Sequence, residues 1–270
     1  MVSDRDIYFF DLQGFLHLRG ALSGNEVAAL NDGIDAIPPL ESGQWHGSIQ
    51  AHDYGTNDGL NLQQIYEAGE PFEALIDHPS WYERVRHFVG GEGTFDCYHG
   101  PVFIDEAFAT LRGPGEAIGV HNGGHLGLMR CQFRVLHGRF HCGQINILIA
   151  LSDIHEGDGP TMLIPGSHKS NFAHPDYDDF VMAPGRSVDG MEGAIELFMD
   201  AGDALLFVDA ISHGSAKRTN PAMRRTIVYR YGPSWGSYRH AYRPSPELLA
   251  RLAPQRRKIV QPVDPVEPPH

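Results

Sequence analysis

The stretch "GDALLFVDAISHGSAKRTNPAMRRTIVYRYG", residues 202–232, decides the fold class. It holds two apolar runs of strand length, one before a small-residue turn and one after it. His213 closes the first run, which places its ring at the rim of a sheet or barrel. Arg224 opens the second run, eleven residues later. On neighbouring strands the two side chains can face one cavity, where a guanidinium holds a dicarboxylate by a two-pronged hydrogen bond. The competing reading of the same residues is a polar strand end and a surface arginine.

Upstream, "QINILIALSDI" (144–154) alternates in the manner of a strand, and "TMLIPGSH" (161–168) is a short strand running into a turn. Many short strands with turn signals read as a sandwich or barrel. The N-terminal part differs. Gly14 to Leu18 is a short strand. Ser23 opens a helix with Glu26 completing a capping box, and Val27, Leu30 and Ile34 follow at helical spacing. Pro38 and Pro39 stop it. Residues 40–62 are polar and glycine-rich, without a clean period, and are expected to be a loop that covers a pocket. Residues 71–91 read as helical segments. The tail 261–270 carries four prolines and is expected to be an extended arm. The fold expected is mainly β with flanking helices around a jelly-roll core. One domain spans 1–270: a helical part over about 1–92, the jelly-roll core over about 93–240, and a Pro-rich arm over about 253–270.

The chain has 270 residues, 41% hydrophobic, and a net charge of −13. That balance argues against nucleic acid or an anionic membrane as the main partner. Three cysteines, Cys97, Cys131 and Cys142, give neither a disulfide framework nor a zinc signature, so a reducing cytoplasm is the compartment expected. The N-terminus lacks a signal-peptide pattern, and no apolar run is long enough to span a membrane.

Among sixteen histidines most must be bland. Two sit in "AIGVHNGGHLG", residues 117–127. With this segment in place the chain resembles the phytanoyl-CoA dioxygenase family of Fe(II)/2-oxoglutarate-dependent oxygenases. The segments that carry the resemblance, in family order, are "DLQGFLHLRGALSGNEVAAL", "INILIALSDIHEGDGPTMLIPGSHKS" and "GDALLFVDAISHGSAKRTNPAMRR". The resemblance implies a double-stranded β-helix and an enzyme that uses Fe(II) and 2-oxoglutarate to oxidise a small molecule. It further implies His121 as the proximal and His213 as the distal iron ligand. Arg224 would bind the far carboxylate of 2-oxoglutarate, with the Ser215 hydroxyl assisting. His168, in "PGSHK", belongs to a turn signature.

The departure from the family is at position 123, where His-x-Asp or His-x-Glu is replaced by His121-Asn122-Gly123. Side chains at 121 and 123 of an extended segment point the same way, so a carboxylate ligand is missing. Four explanations stay open. Chloride can fill the vacancy, as in 2-oxoglutarate-dependent halogenases, which carry Gly or Ala there. A replacement ligand can supply it: His125, ~13 Å from His121 in a straight strand and nearer only across a sharp turn, or Asp153, Glu156 or Asp158. Water can occupy it in a hydroxylase. The protein can also bind a ligand without oxidising it.

Other residues join the candidates. Gln144, Asn146 and Leu148 share one strand face, from which Asn146 can donate to the cosubstrate; the other reading is an exposed sheet face. Trp235 either walls the substrate pocket or plugs the core. Arg130, Arg134 and Arg139 lie near the iron segment, where Arg134 can receive an anionic small-molecule substrate; the other reading is plain surface charge.

Overall fold

Arg224–Gly232 forms a strand buried along most of its length on both faces. The side chains of one face, Arg224, Thr226, Val228 and Arg230, line a cavity. On the other face Tyr229 donates to the Phe72 carbonyl (2.7 Å) and Tyr231 to the Leu75 carbonyl (3.1 Å). Period two explains both roles, since successive side chains of a strand point to opposite faces. The computed structural model describes residues 2–55, 59–90, 100–122, 129–181, 188–234 and 242–261.

Among the described residues the strands, in chain order, are β1 (Phe15–Leu18), β2 (Trp45–His46), β3 (Ile49–His52), β4 (Leu60–Gln63), β5 (Phe103–Arg112), β6 (Ile118–His121), β7 (Phe133–Leu136), β8 (Arg139–Cys142), β9 (Ile145–Ala150), β10 (Thr161–Leu163), β11 (Ile195–Leu197), β12 (Ala204–Val208), β13 (His213–Ser215) and β14 (Arg224–Gly232). The large sheet runs β1-β12-β9-β14-β5-β4-β3-β2, and a smaller one runs β11-β10-β13-β6. Pairing is antiparallel throughout both. The two sheets enclose the cavity between them, as in a jelly roll. Strands β7 and β8 form a separate hairpin.

Helices cover the outer face of the large sheet. Helix Gly24–Asp35 starts at Ser23, whose backbone N–H donates to Glu26 Oε2 (2.7 Å) while its hydroxyl accepts the Glu26 N–H (3.4 Å). Such a cap is worth about 1 kcal/mol. Val27, Leu30 and Ile34 are buried, in line with the periodicity. Phe10 of helix Asp4–Gln13 stacks on Phe88 of helix Tyr82–Val89 (centroids 3.8 Å apart), with the Phe140 edge against both. No helix among the described residues is long and apolar enough to cross a membrane.

Two expectations are corrected. Residues 40–62 are not a loop: β2, β3 and β4 lie there and extend the large sheet beyond β5. They are short, and only Ile49 and Ala51 alternate cleanly with their neighbours in burial, so no period emerges from the composition. The C-terminal arm does not begin at 253, because Pro254–Val260 is a helix that buries Ile259 and Val260. Proline is tolerated at the first helical position, where the missing N–H has no intrahelical partner. Residues 262–270 lie outside the described residues.

His168 ties the "PGSHK" turn to the first helix. Its Nε2–H donates to the Asp11 carbonyl (3.1 Å), and Phe133 packs edge-on against the ring (4.4 Å). Its Nδ1 is buried without a hydrogen-bond partner among the described residues, beside Gly14. At Gly14, with φ +85°, a Cβ would lie 2.6 Å from that nitrogen. Burial pushes the His168 imidazolium down to about 4. The unfolded residue, near 6.5, takes up a proton more readily than the folded one. This group's contribution is therefore complete above pH 6.5 and is lost as pH falls through about 4, a loss on the order of 3 kcal/mol. His168→Gln is expected to flatten that part of the stability profile, read by urea unfolding at a series of pH values between 7 and 4.

Gly214 permits β13 to lie against β6. A Cβ there would meet the Ile118 carbonyl oxygen at 2.5 Å and Val188 Cγ2 at 2.7 Å. Because the first obstacle is backbone, relief requires the strands to separate. Gly214→Ala is expected to destabilise the protein by about 2 kcal/mol or more, measured as a lower urea midpoint at unchanged slope.

Candidate active site

Strands β6 and β13 pair with His121 opposite His213. The two rings lie 4.1 Å apart, centroid to centroid, at 60°. Each is anchored in the same way. His121 Nδ1 donates to the Gly119 carbonyl (3.1 Å) and His213 Nδ1 to the Ile211 carbonyl (2.8 Å). A carbonyl only accepts, so Nδ1 carries the hydrogen in both rings and Nε2 carries the lone pair. Burial, followed by the neighbouring His213 ring, pushes the His121 imidazolium down to about 3, so this ring is neutral at neutral pH. Phe207 of β12 presents its ring to His213 at 5.0 Å.

Both histidines line a cavity of about 150 Å³. Phe108, Leu148 and Phe207 line it from the large sheet, and Thr161 joins the histidines from the small one. Arg224 enters from β14 and is buried. Its Nη1 donates to the Gly159 carbonyl (2.6 Å), while its Nε is buried without a hydrogen-bond partner among the described residues. Burial first, then Arg112 and Arg218, push the Arg224 guanidinium down to about 9 against the opposing pull of Asp158. Asp158 is already engaged, accepting from Arg218 (2.9 Å) and Asn220 (2.9 Å). Ser215 lies two residues beyond His213 and also lines the cavity, with its Oγ accepting from Arg112 Nη1 (2.7 Å).

The structure thus brings His121, His213, Ser215 and Arg224 to one cavity. Gly123, His125 and Trp235 lie outside the described residues. The acidic replacement ligands are not at this site. Asp158 is held by Arg218, Glu156 is exposed, and Asp153 stands with His155 and Asp200 in an exposed group. Among the described residues no carboxylate comes within ligating distance of both imidazoles. Asn146 is neither at an exposed face nor directed to a cosubstrate: it is buried, and its Nδ2 donates to Asp209 Oδ1 (3.0 Å). Arg134 is likewise corrected. It is exposed on the β7–β8 hairpin and does not line the cavity, because that hairpin belongs to neither sheet. Arg139 is exposed as well, whereas Arg130 pairs with the buried Asp209 (2.9 Å).

Three residues near the site escaped the sequence reading. Arg230 lines the cavity, packs over Phe108 (5.2 Å) and pairs with Glu106 (3.3 Å). Counting by twos from Arg224 would have found it. Arg112 ends the series Phe108, Thr110, Arg112 on β5 and lines the cavity too. Asp209 follows the apolar run of β12, and only its position four residues before His213 marks it.

The chain resembles known proteins over most of its length. It is 25% identical over 257 residues to the dioxygenase aneA of Aspergillus aculeatus, covering 92% of this chain and 78% of that protein. With the dioxygenase cdmD of Talaromyces verruculosus it shares 26% identity over 117 residues, which is 43% of this chain and only about a third (35%) of that protein. Its fold matches that of HygX from Streptomyces hygroscopicus, crystallised with nickel and 2-oxoglutarate, at a TM-score of 0.73 and 21% identity, covering 92% of this chain and 94% of HygX. Residues 10–226 match the family model described as Phytanoyl-CoA dioxygenase (PhyH). With the paired histidines and the buried arginine inside that span, the chain belongs to the phytanoyl-CoA dioxygenase family of oxidoreductases.

Proposed function

We propose that the protein uses Fe(II) and 2-oxoglutarate to oxidise a C–H bond of a small molecule. One juxtaposition carries this reading. Two imidazoles, each with Nδ1–H given to a backbone carbonyl, share a cavity with a buried arginine whose Nε has no partner among the described residues. The donor set suits a divalent metal, and the buried cation suits a carboxylate. The HygX structures, one with nickel and 2-oxoglutarate and one with iron, support the cofactor assignment.

In this reading His121 Nε2 and His213 Nε2 hold the metal, Arg224 grips the far carboxylate of 2-oxoglutarate, and Ser215 assists it. Bound together, iron and 2-oxoglutarate supply the oxidising power, with the keto acid decarboxylated to succinate as dioxygen is consumed. The chain's own residues do the rest. The Gly119 and Ile211 carbonyls fix each imidazole tautomer and aim its lone pair. Phe108, Leu148 and Phe207 form an apolar wall that excludes water and confines the substrate. Hygromycin B is bound in HygX, and here too the substrate proposed is a small molecule. The buried thiols of Cys131 and Cys142 suit a reducing cytoplasm.

The finer proposal concerns position 123. Gly123 brings no carboxylate, and the vacancy there is taken by chloride or by water. Chloride restores the charge that a carboxylate would bring and permits halogenation; water leaves the protein a hydroxylase. The absence of a described carboxylate beside both imidazoles supports an open position.

His213→Ala is expected to weaken Ni(II) or Fe(II) binding by about 100-fold, and Arg224→Ala to raise the KM for 2-oxoglutarate by about 100-fold, near 2.7 kcal/mol each. Calorimetry with Ni(II) and succinate formation read these effects. A wild-type protein that binds no metal and turns over no 2-oxoglutarate with any substrate tried is a binding protein instead. Gly123→Asp is expected to suppress any chlorinated product while strengthening metal binding, followed by mass spectrometry across a chloride series. A wild-type product hydroxylated at every chloride concentration removes the halogenase reading and keeps the open position.

A further inference from the structure

Arg112 of β5 and Arg224 of β14 are direct cross-strand partners, and both are buried and line the cavity. Like charges placed opposite one another weaken a sheet, and burial magnifies the cost. Arg218 is buried close by and is matched by Asp158 (2.9 Å). The hydrogen bonds of Arg112 to Ser215, Glu116 and Ala216 end on neutral oxygens. Its Nη1 donates to Ser215 Oγ (2.7 Å), and its Nη2 to the carbonyls of Glu116 (2.7 Å) and Ala216 (3.3 Å). Arg224 donates to the Gly159 carbonyl, which is also neutral. Two opposed cations therefore persist in a site without hydrogen bonds from Arg224 to any described carboxylate. The hydroxyl of Ser215 is constrained as well. Its oxygen accepts from Arg112, so its hydrogen is directed elsewhere.

We propose that Arg112 is a positioning residue of the 2-oxoglutarate site: it presents the Ser215 hydroxyl as a donor to the carboxylate gripped by Arg224 and adds a second positive charge beside it. This rests on the iron and 2-oxoglutarate reading above. Binding of the carboxylate relieves the repulsion between the two guanidiniums, so part of the affinity comes from strain that the free protein carries. The site is thereby specific for an anion with several acceptor oxygens, and inorganic sulfate is a metal-free probe of it.

The experiment compares wild type, Arg112→Gln, Arg112→Lys, Ser215→Ala and Arg224→Ala. Steady-state kinetics give the KM for 2-oxoglutarate; thermal shift is recorded with Ni(II) plus 2-oxoglutarate and, separately, with sulfate. Arg112→Gln is expected to raise KM about tenfold or more, with kcat falling much less. It should melt within about 3 °C of wild type without ligand and lose most of the stabilisation by both ligands. Ser215→Ala should raise KM in wild type and add nothing in the Arg112→Gln background. If Arg112→Gln does not fold, Arg112→Lys is decisive, since one ammonium cannot hold both Ser215 and the Glu116 carbonyl; its KM should rise at least about threefold. An unchanged KM and sulfate response in the Arg112 variants overturns the inference, even where Arg224→Ala confirms the cosubstrate site. A wild type that ignores 2-oxoglutarate but loses its sulfate response on Arg112→Gln keeps the two-arginine anion site and overturns the cosubstrate reading.

Discussion

Between Ile118–His121 and His213–Ser215 the backbones approach so closely that no side chain larger than hydrogen fits at 214 without displacing one strand. The chemistry of the cavity follows from that approach. The register sets His121 against His213 and then shifts, so that Ser215 falls opposite Ile118. Four residues of β6 (118–121) thus oppose three of β13 (213–215), an irregularity that bends a strand locally. His213 and Ser215 reach the same cavity because they are two apart, while Gly214 between them faces Ile118 and Val188. At a ring separation of 4.1 Å two imidazolium cations would repel strongly in a buried setting. A neutral His121 avoids that cost, and the two carbonyls fix which nitrogen of each ring carries its hydrogen. Strand geometry therefore sets the position of each ring and disfavours a charge on His121.

The electrostatics of the cavity run against those of the chain. A protein with net charge −13 gathers Arg112, Arg218 and Arg224 around one buried site, and Arg230 farther along β14. Net charge describes long-range steering and solubility, whereas a buried site answers to its nearest charges. Residues 224 and 230 lie roughly 20 Å apart along an extended strand, so their charges belong to different parts of the cavity. Arg230 is balanced by Glu106, which also accepts from Gln63 (2.8 Å) and from Tyr54. Arg224 has no such partner among the described residues, and that contrast distinguishes an internal ion pair from a ligand site.

The fold was legible where one strand face was uniformly apolar and turns were marked. Residues 145–150, 161–163, 204–208 and 224–232 fall inside the stretches read as strands, and the capping box at Ser23 begins its helix. His213 and Arg224 were visible because each stands at the end of such a strand. The rest was hidden for specific reasons. β5 is buried along nearly all its length, with Glu106, Thr110 and Arg112 among alanines and phenylalanines, so it shows no contrast between faces. β2 to β4 are too short to display a period and owe their place to pairing with β5. Arg134 shows the opposite failure. It is close to the iron segment in sequence, yet the β7–β8 hairpin carries it to the surface.

A last constraint governs where the chain goes after His121. Asn122 adopts φ +60°, a conformation that costs most residues about 1 kcal/mol and that asparagine tolerates better than other side chains with a Cβ. Its amide oxygen accepts from Arg130 (3.2 Å), and Arg130 pairs with Asp209 (2.9 Å). Asp209 in turn accepts from Asn146 on the central strand β9. A continuous polar relay thus joins the large sheet to the residue that follows a metal-binding candidate. Asp209 is almost wholly buried, so removing Arg130 would leave a carboxylate short of its cation in a dry setting, a costly state. The relay also answers what Asn146 does. Its amide is not spent on a cosubstrate; it helps to orient the carboxylate that holds Arg130 and, through it, Asn122. The direction in which the chain leaves β6 at Asn122 is therefore set by the core.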